Sequence, residues 1–275
     1  MDIASTESIK IKRISTCMIT DTEDQLAIEE PLQIQVAYES ETGFIKKNLA
    51  VTMRTPGNDD ELATGFLFTE GIIKNKTEIK SVQQRDENTI LVTLYEKKRT
   101  RSNIVARNFY TTSSCGICGK ASIDAVITSS LYQHKDDNIV IAPGLFYDLP
   151  LQLRKQQEVF ENTGALHAAA LFDLHGNFIR LREDIGRHNA LDKLIGYSLM
   201  NETMPMDNVI LLLSGRAGFE LIQKATMAGI KIVAAIGAPS SLAVELAREN
   251  DMTLLGFLKQ ERFNIYSGDI RVRCD

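Results

Sequence analysis

The strongest constraint on the fold is a repeated order in the second half of the chain: a short apolar segment, a loop of small residues, then an amphipathic segment. This pattern predicts strands at residues 169–173, 178–182, 209–214, 231–236 and 252–257. It predicts helices at residues 151–161, 187–199, 217–228 and 241–250. Because the short strands alternate with helices, this half of the chain predicts an α/β sheet with helices packed on its faces.

The N-terminal part has a different texture. Apolar and polar residues alternate over residues 32–38 and 49–53, and two further strand-like segments occupy 79–84 and 89–95. Between these pairs, Asn58 is predicted to cap a helix that carries acidic residues in its first turn. We therefore expect a small, β-rich ββαββ roll ahead of the α/β half.

Composition limits the classes of function. The chain has 275 residues, is 44% hydrophobic and carries a formal net charge of -5, which suits a globular protein and gives no general attraction to nucleic acid or anionic membranes. The N-terminal segment lacks the apolar core of a signal peptide, and the apolar runs are too short to span a membrane. These features predict a cytoplasmic protein. Its four cysteines do not make a disulfide framework.

Two of those cysteines, Cys115 and Cys118, stand in the segment Thr-Thr-Ser-Ser-Cys-Gly-Ile-Cys-Gly-Lys. A structural zinc site would need two more ligands at metal spacing, and the sequence offers none. A thioredoxin-like dithiol would follow a strand directly, whereas this pair lies in a Ser, Thr and Gly-rich stretch. A persulfide carrier fits such a segment, because a thiolate that exchanges sulfur must reach both a donor and an acceptor. Sulfur or redox chemistry is favoured over an inert buried pair.

A comparison with zinc-dependent nucleobase deaminases fails in an informative way. His167 lies in a segment similar to their HxE element, but Ala169 occupies the position of the proton-transferring glutamate. The CxxC also precedes the histidine instead of following it, so deaminase chemistry is excluded. His167 remains either a neighbour that would favour a thiolate or a satisfied histidine at the start of a buried segment.

Polar residues at four predicted strand ends indicate a ligand site. Arg187, His188 and Asn189 open a helix, where side-chain donors and free backbone N–H groups could bind an anion, with Asp192 orienting His188. Arg216 lies in a second such junction, and paired serines cap the helix after a third. The fourth segment, 256–262, offers Phe257 for stacking and Lys259 and Arg262 for phosphates. Together these junctions predict a sizeable ligand with phosphates and a ring.

Three stretches resemble the FdhD family of formate dehydrogenase accessory sulfurtransferases. They are Ser-Ser-Cys-Gly-Ile-Cys-Gly, Glu-Asp-Ile-Gly-Arg-His-Asn-Ala-Leu-Asp-Lys and Ala-Val-Glu-Leu-Ala. The resemblance implies a homodimer that takes persulfide sulfur from a cysteine desulfurase and passes it to the molybdenum bis-guanine-dinucleotide cofactor for formate dehydrogenase. It implies that Cys115 carries the persulfide with Cys118 beside it, and that Phe257, Lys259 and Arg262 bind the cofactor.

The resemblance also implies a domain plan. We expect an α/β roll over residues 1–108, a mobile CxxC loop over 109–120, and a cytidine-deaminase-like, three-layer α/β/α domain over 121–275. Arg187, His188, Asn189, Arg216 and His167 are the further candidates for contact with the cofactor, and no residue is predicted to hold a metal. The alternative function is a non-enzymatic carrier of the cofactor, and a dithiol oxidoreductase is the third reading.

Overall fold

The computed structural model of the protein describes residues 5–40, 43–95, 132 and 138–274. Within these residues the strands are β1 Thr6–Ser15, β2 Met18–Ala27, β3 Glu30–Ser40, β4 Gly43–Arg54, β5 Ile79–Asp86, β6 Thr89–Leu94, β7 His167–Asp173, β8 Phe178–Asp184, β9 Val209–Leu213, β10 Ile232–Ala235, β11 Thr253–Lys259 and β12 Arg262–Ser267. The α-helices are α1 Asp59–Thr69, α2 Pro143–Gln156, α3 Glu158–Thr163, α4 Arg187–Met200, α5 Phe219–Met227 and α6 Ser241–Glu249.

The N-terminal roll is built on a four-stranded sheet in the order β4-β3-β6-β5. The central strands β3 and β6 are parallel, and each outer strand is antiparallel to its neighbour. Leu32, Ile34 and Val36 are fully buried and belong to the same core cluster as Leu62 and Leu67 of α1. This arrangement confirms the predicted ββαββ order.

The start of α1 differs from the prediction in one respect. Asn58 precedes the helix but has a left-handed backbone conformation, with φ of 55°, and its side chain makes no capping hydrogen bond. Instead, the acidic first turn compensates the helix dipole, and Asp59 accepts two hydrogen bonds from the guanidinium of Arg54. Asn58 is therefore tolerated as a turn residue, because asparagine adopts positive φ more readily than most residues.

The sequence did not predict the β1–β2 hairpin, which forms a separate two-stranded sheet. Its register places basic residues of β1 opposite acidic residues of β2, and Lys12 Nζ lies 3.1 Å from Asp21 Oδ1. The chain reverses at Thr16 and Cys17, both with positive φ. A mirrored pattern of opposite charges was the available signal, but apolar residues alternate with polar ones only in β1, at Ile9 and Ile11, and not in β2.

The second sheet has six strands in the order β12-β11-β10-β9-β7-β8. Strands β9, β10 and β11 are parallel, whereas β7 runs antiparallel to both β9 and β8. The start of β7 therefore meets the carboxyl ends of β8, β9 and β10 at one edge of the sheet. We call this the strand-end edge; it comprises His167, the segments that follow Asp184, Leu213 and Ala235, and Phe257 in β11.

Helices cover both faces of this sheet. Leu211 and Leu213 of β9 belong to the core cluster shared with α4, α5 and α6, whereas Ile210 and Leu212 belong to the cluster shared with α2. This division follows from the alternation of side chains along a strand, and it confirms the three-layer α/β/α arrangement. Within the described ranges, none of the helices combines the length and apolar character of a transmembrane segment.

One predicted helix is divided. Residues 151–161 were expected to form a single helix, but α2 begins earlier, with Pro143 in its first turn, and a break at Gln157 separates it from α3. Pro150 lies inside α2, although a proline usually marks a helix boundary in a sequence. The predicted domain boundaries at 108, 109–120 and 121 lie outside the described residues and stay predictions.

Candidate functional site at the strand-end edge

His167 is the first residue of β7 and pairs in register with Asp184, the last residue of β8. It is partly buried, and this burial lowers the pKa of its imidazole, with further lowering by the positive charges of Arg187, His188 and Arg216. The loop after β9 comes close to the ring, because a Cβ on Gly215 would lie 3.3 Å from Nδ1 of His167. Cationic groups therefore outnumber the one acidic group, Asp184, that acts on His167.

Two arginines contribute that positive charge from different elements. Arg187 is the first residue of α4 and is partly buried, while Arg216 follows β9 and is exposed. Both act on His167, so the fold brings together three of the sequence candidates. Two guanidinium groups at helix-entry loops form an environment that favours a phosphate or another anion.

His188 is oriented by a residue that the sequence analysis missed. Its Nε2 lies 2.7 Å from Oε2 of Glu220 in the first turn of α5, and its side chain is 9% exposed. The predicted partner, Asp192, instead accepts hydrogen bonds from Lys224 and Thr69 in the interior. Spacing along α4 put His188 and Asp192 near each other, but Asp192 is buried against a lysine that only tertiary packing supplies.

Asn189 was expected to face an anion, and its contacts correct that expectation. Its amide donates to the carbonyl oxygen of Met53 at 2.7 Å and to Oδ1 of Asp184 at 3.1 Å, and it accepts from Oγ1 of Thr52 at 3.2 Å. The side chain is 7% exposed. Asn189 therefore fastens the start of α4 to β4, and positions Arg187 and His188 indirectly.

Phe257, Lys259 and Arg262 were expected in a loop after the last core strand, but they lie in a β-hairpin. β11 continues to Lys259, which pairs with Arg262 at the start of β12, and both side chains are exposed. Leu258, which lies between Phe257 and Lys259, is buried in the core cluster beneath α2. The two cations therefore project from the hairpin end, because the buried leucine anchors the strand.

Phe257 joins the strand-end edge through the backbone. Its N–H donates to the carbonyl oxygen of Gly237 at 3.1 Å, and the N–H of Gly237 donates to that of Gly215 at 3.0 Å. Phe257 has φ of 53° and is 44% exposed. A bulky residue rarely adopts positive φ, and such strain clusters at functional sites. Because the ring is exposed and its backbone is joined through Gly237 to the loop that carries Arg216, it is available for stacking beside that loop.

Cys115 and Cys118 lie outside the described residues, as does the whole of the predicted loop 109–120. Their role and their distance from the strand-end edge stay predictions.

Comparison with known proteins identifies the ancestry. The sequence matches the FdhD/NarQ family over residues 27–273. The chain belongs to the FdhD/NarQ family. The FdhD resemblance of the three sequence stretches is thereby confirmed for nearly the full length.

Relatives in this family are named sulfur carrier protein FdhD. The protein from Streptomyces coelicolor is 45% identical over 277 residues, covering 97% of this chain and 95% of the relative. The protein from Mycolicibacterium paratuberculosis is 46% identical over 258 residues, covering 90% and 92%. That from Picrophilus torridus is 44% identical, with 90% and 92% covered.

A crystal structure supports the fold of this FdhD/NarQ family member. A protein from Desulfotalea psychrophila, described as a formate dehydrogenase accessory protein, superimposes with a TM-score of 0.74. The match covers 98% of this chain and 100% of the other at 21% sequence identity. At that identity the likeness establishes the shared architecture of roll and α/β/α layers.

Proposed function

We propose that this chain is a sulfur carrier that accepts persulfide sulfur from a cysteine desulfurase on Cys115 and transfers it to a molybdenum bis-guanine-dinucleotide cofactor destined for formate dehydrogenase. The observation that carries the proposal is the 45% identity, over 97% of the chain, to a protein named sulfur carrier protein FdhD. The CxxC at Cys115 and Cys118 supplies the thiols that such a function needs.

The sulfur step requires only thiol exchange. The thiolate of Cys115 attacks the terminal sulfur of the donor persulfide, a new S–S bond forms on Cys115, and the donor cysteine leaves as a thiolate. For delivery, the thiolate of Cys118 attacks Sγ of Cys115, which forms a Cys115–Cys118 disulfide and releases the terminal sulfur as hydrosulfide to the acceptor. A dithiol reductant then restores both thiols, so atoms and electrons balance over the cycle.

The cofactor is the substrate in this proposal, and the strand-end edge has the chemistry to bind its nucleotide ends. Arg187 and Arg216 offer guanidinium groups for phosphates, and Lys259 and Arg262 add exposed cations at the β11–β12 hairpin. Phe257 offers an exposed ring for stacking. A homodimer belongs to the same proposal. A cytoplasmic location belongs to it as well, because persulfide chemistry needs a reducing compartment.

Mass spectrometry tests the sulfur step directly. After incubation with a cysteine desulfurase and cysteine, the full-length protein should gain the mass of one sulfur atom on Cys115. Cys115→Ala should not be loaded, and Cys118→Ala should still be loaded but should deliver more slowly. Cys17→Ala is the matched control, because Cys17 is an exposed free cysteine in the β1–β2 turn.

A second measurement separates transfer from simple carriage. Cells that depend on this chain should lose formate dehydrogenase activity with Cys115→Ala and keep it with Cys17→Ala. If Cys115 stays unmodified under conditions that load a control acceptor, while the chain still supports formate dehydrogenase, the non-enzymatic carrier replaces the sulfurtransferase.

A further inference from the structure

A buried histidine and a partly buried glutamate at the strand-end edge have no role in the steps above. His188 lies in the first turn of α4 and Glu220 in the first turn of α5, and both helices follow strands that end at this edge. The two are joined by the 2.7 Å contact between Nε2 and Oε2. Because a carboxylate only accepts hydrogen bonds, Nε2 carries a proton, and the other ring nitrogen is left to act elsewhere.

That other nitrogen has no hydrogen-bond partner in the part of the chain that the structure describes. Nδ1 of His188 is buried and makes no hydrogen bond to any described residue, and the residue as a whole is only 7% exposed. Buried polar atoms are normally satisfied, so an unsatisfied one in a candidate site calls for a ligand. The ring belongs to α4, and its Nε2 is held by a residue of α5. The position of Nδ1 is therefore fixed by two helices that are distant in sequence.

The charges around His188 indicate what that ligand is. Arg187 of α4 and Arg216 of the β9–α5 loop are the positive groups at this edge, whereas the pKa of His167 is lowered and its neutral form is favoured. The acidic groups are Glu220 of α5 and Asp184 of β8. The charge of Asp184 is compensated by Lys193, whose Nζ lies 2.7 Å away. An excess of positive charge remains, which favours an anion.

We propose that His188, held by Glu220, is a specificity-determining residue whose Nδ1–H donates to a phosphate oxygen of the nucleotide end of the cargo, so that binding is accompanied by uptake of a proton from solvent. The inference rests on the proposed function for the identity of the cargo. Glu220 is a positioning residue: its carboxylate holds Nε2 of the imidazole and so fixes the direction of Nδ1. Neither residue takes part in the sulfur step.

The test uses the full-length protein with guanosine diphosphate and, separately, inorganic pyrophosphate as probes in calorimetric titrations. His188→Gln is the decisive variant, because the glutamine amide can still donate to Glu220 from the position of Nε2 but offers nothing at Nδ1. We expect affinity for both probes to fall about tenfold, as for loss of a charge-assisted hydrogen bond. His175→Gln, in the exposed β7–β8 turn at the opposite end of the strand, is the matched control and should bind as wild type.

The pH profile distinguishes this role from a structural one. Wild-type affinity for both probes should fall as pH rises, because the proposed contact needs a proton on Nδ1. Glu220→Gln should weaken binding across the pH range, because the imidazole is no longer held by a carboxylate. His188→Gln should flatten that part of the profile. His167→Gln is measured in parallel, since His167 also titrates at this edge, and it should leave the effect of Glu220→Gln in place.

The outcomes separate the inference from the function on which it rests. If His188→Gln binds both probes with the affinity and pH profile of the wild type, the proposed role of His188 is overturned, and the proposed function is not affected. A wild-type protein that binds neither probe at any pH overturns both this role and the cofactor end of the proposed function. Normal probe binding with no sulfur loaded on Cys115 overturns the sulfur step and leaves the His188 role standing. Equal melting temperatures of His188→Gln and wild type show that the variant is folded.

Discussion

Gly65 of α1 and Gly196 of α4 lie so close together that neither position has room for a side chain. A Cβ on Gly65 would lie 1.9 Å from the carbonyl oxygen of Asp192, and a Cβ on Gly196 would lie 1.9 Å from that of Glu61. The two backbones therefore touch where the helix of the roll crosses the first helix of the strand-end edge. This contact fixes α4, and with it Arg187 and His188, against the N-terminal part.

Substitution at this crossing should be costly. Gly65→Ala or Gly196→Ala should lower the free energy of unfolding by about 3 kcal/mol, because the helices must move apart to relieve the overlap. Gly144→Ala is the matched control: Gly144 lies in the first turn of α2 with nothing within 4 Å of the added Cβ. That control should be neutral or stabilising by about 0.5–1 kcal/mol. Urea denaturation measures all three, and equal stability of Gly65→Ala and wild type would contradict the close crossing.

The buried ion pair of Asp192 and Lys224 gives a second prediction. Lys224 Nζ lies 2.8 Å from Asp192 Oδ2 and 2.9 Å from Thr69 Oγ1, with both charged side chains almost fully buried. Asp192→Ala would leave a buried ammonium without its main partner, and should cost about 3–5 kcal/mol in denaturant unfolding. Asp21→Ala removes a partner of the exposed Lys12 and should leave the unfolding curve unchanged. A small effect at Asp192 would show that the pair is not a principal support of the α1, α4 and α5 contact.

His167 gives a prediction on pH. Burial, followed by the charges of Arg187, His188 and Arg216, lowers the pKa of its imidazole below the ordinary value of 6.5. The unfolded chain then binds the proton more readily than the folded one, so stability falls as pH drops below about 6.5 and keeps falling until the lower folded pKa is passed. His167→Gln should reduce this loss in urea midpoints measured between about pH 7 and pH 5.

An NMR titration provides the independent check on His167. The imidazole resonances should shift with a midpoint below 6.5, and adding pyrophosphate should raise that midpoint, because a bound anion favours the protonated ring. His175→Gln serves as the assignment control, since His175 lies in the exposed turn after β7. A midpoint above 6.5 in the free protein would show that the cationic groups do not act on His167.

Arg216 provides the most direct prediction on binding. It is exposed, it follows β9 at the strand-end edge, and its charge acts on His167. Arg216→Ala should weaken guanosine diphosphate binding about tenfold, and higher salt should narrow the difference, because exposed charges are screened. Arg85→Ala, at an exposed position of β5 in the other sheet, should leave affinity unchanged. Equal losses for the two variants would mean that net charge, rather than the edge, governs binding.

Much of the fold follows from local pattern. The alternation of apolar segments and helices gave β7 to β11 and α4 to α6 in their observed order, and Ser240 caps α6 by accepting from the N–H of Ala243 as expected. Patterns of charge were less informative than patterns of hydrophobicity, which is why the β1–β2 hairpin was missed. Pro150 suggested a helix boundary that does not exist. The helix α2 continues through it because Phe146, Leu149 and Leu153 pack in the core on both sides of the proline.

The sequence alone determined the family, the order of most elements and the presence of cationic residues at the strand ends, because each depends on local composition and spacing. The partners of the buried polar groups were decided only by the tertiary structure. Asp192 binds Lys224 instead of His188, and Glu220 takes the place predicted for Asp192. A buried charge pairs with whichever opposite group packing brings within reach, and helix spacing carries no information about a residue on another element.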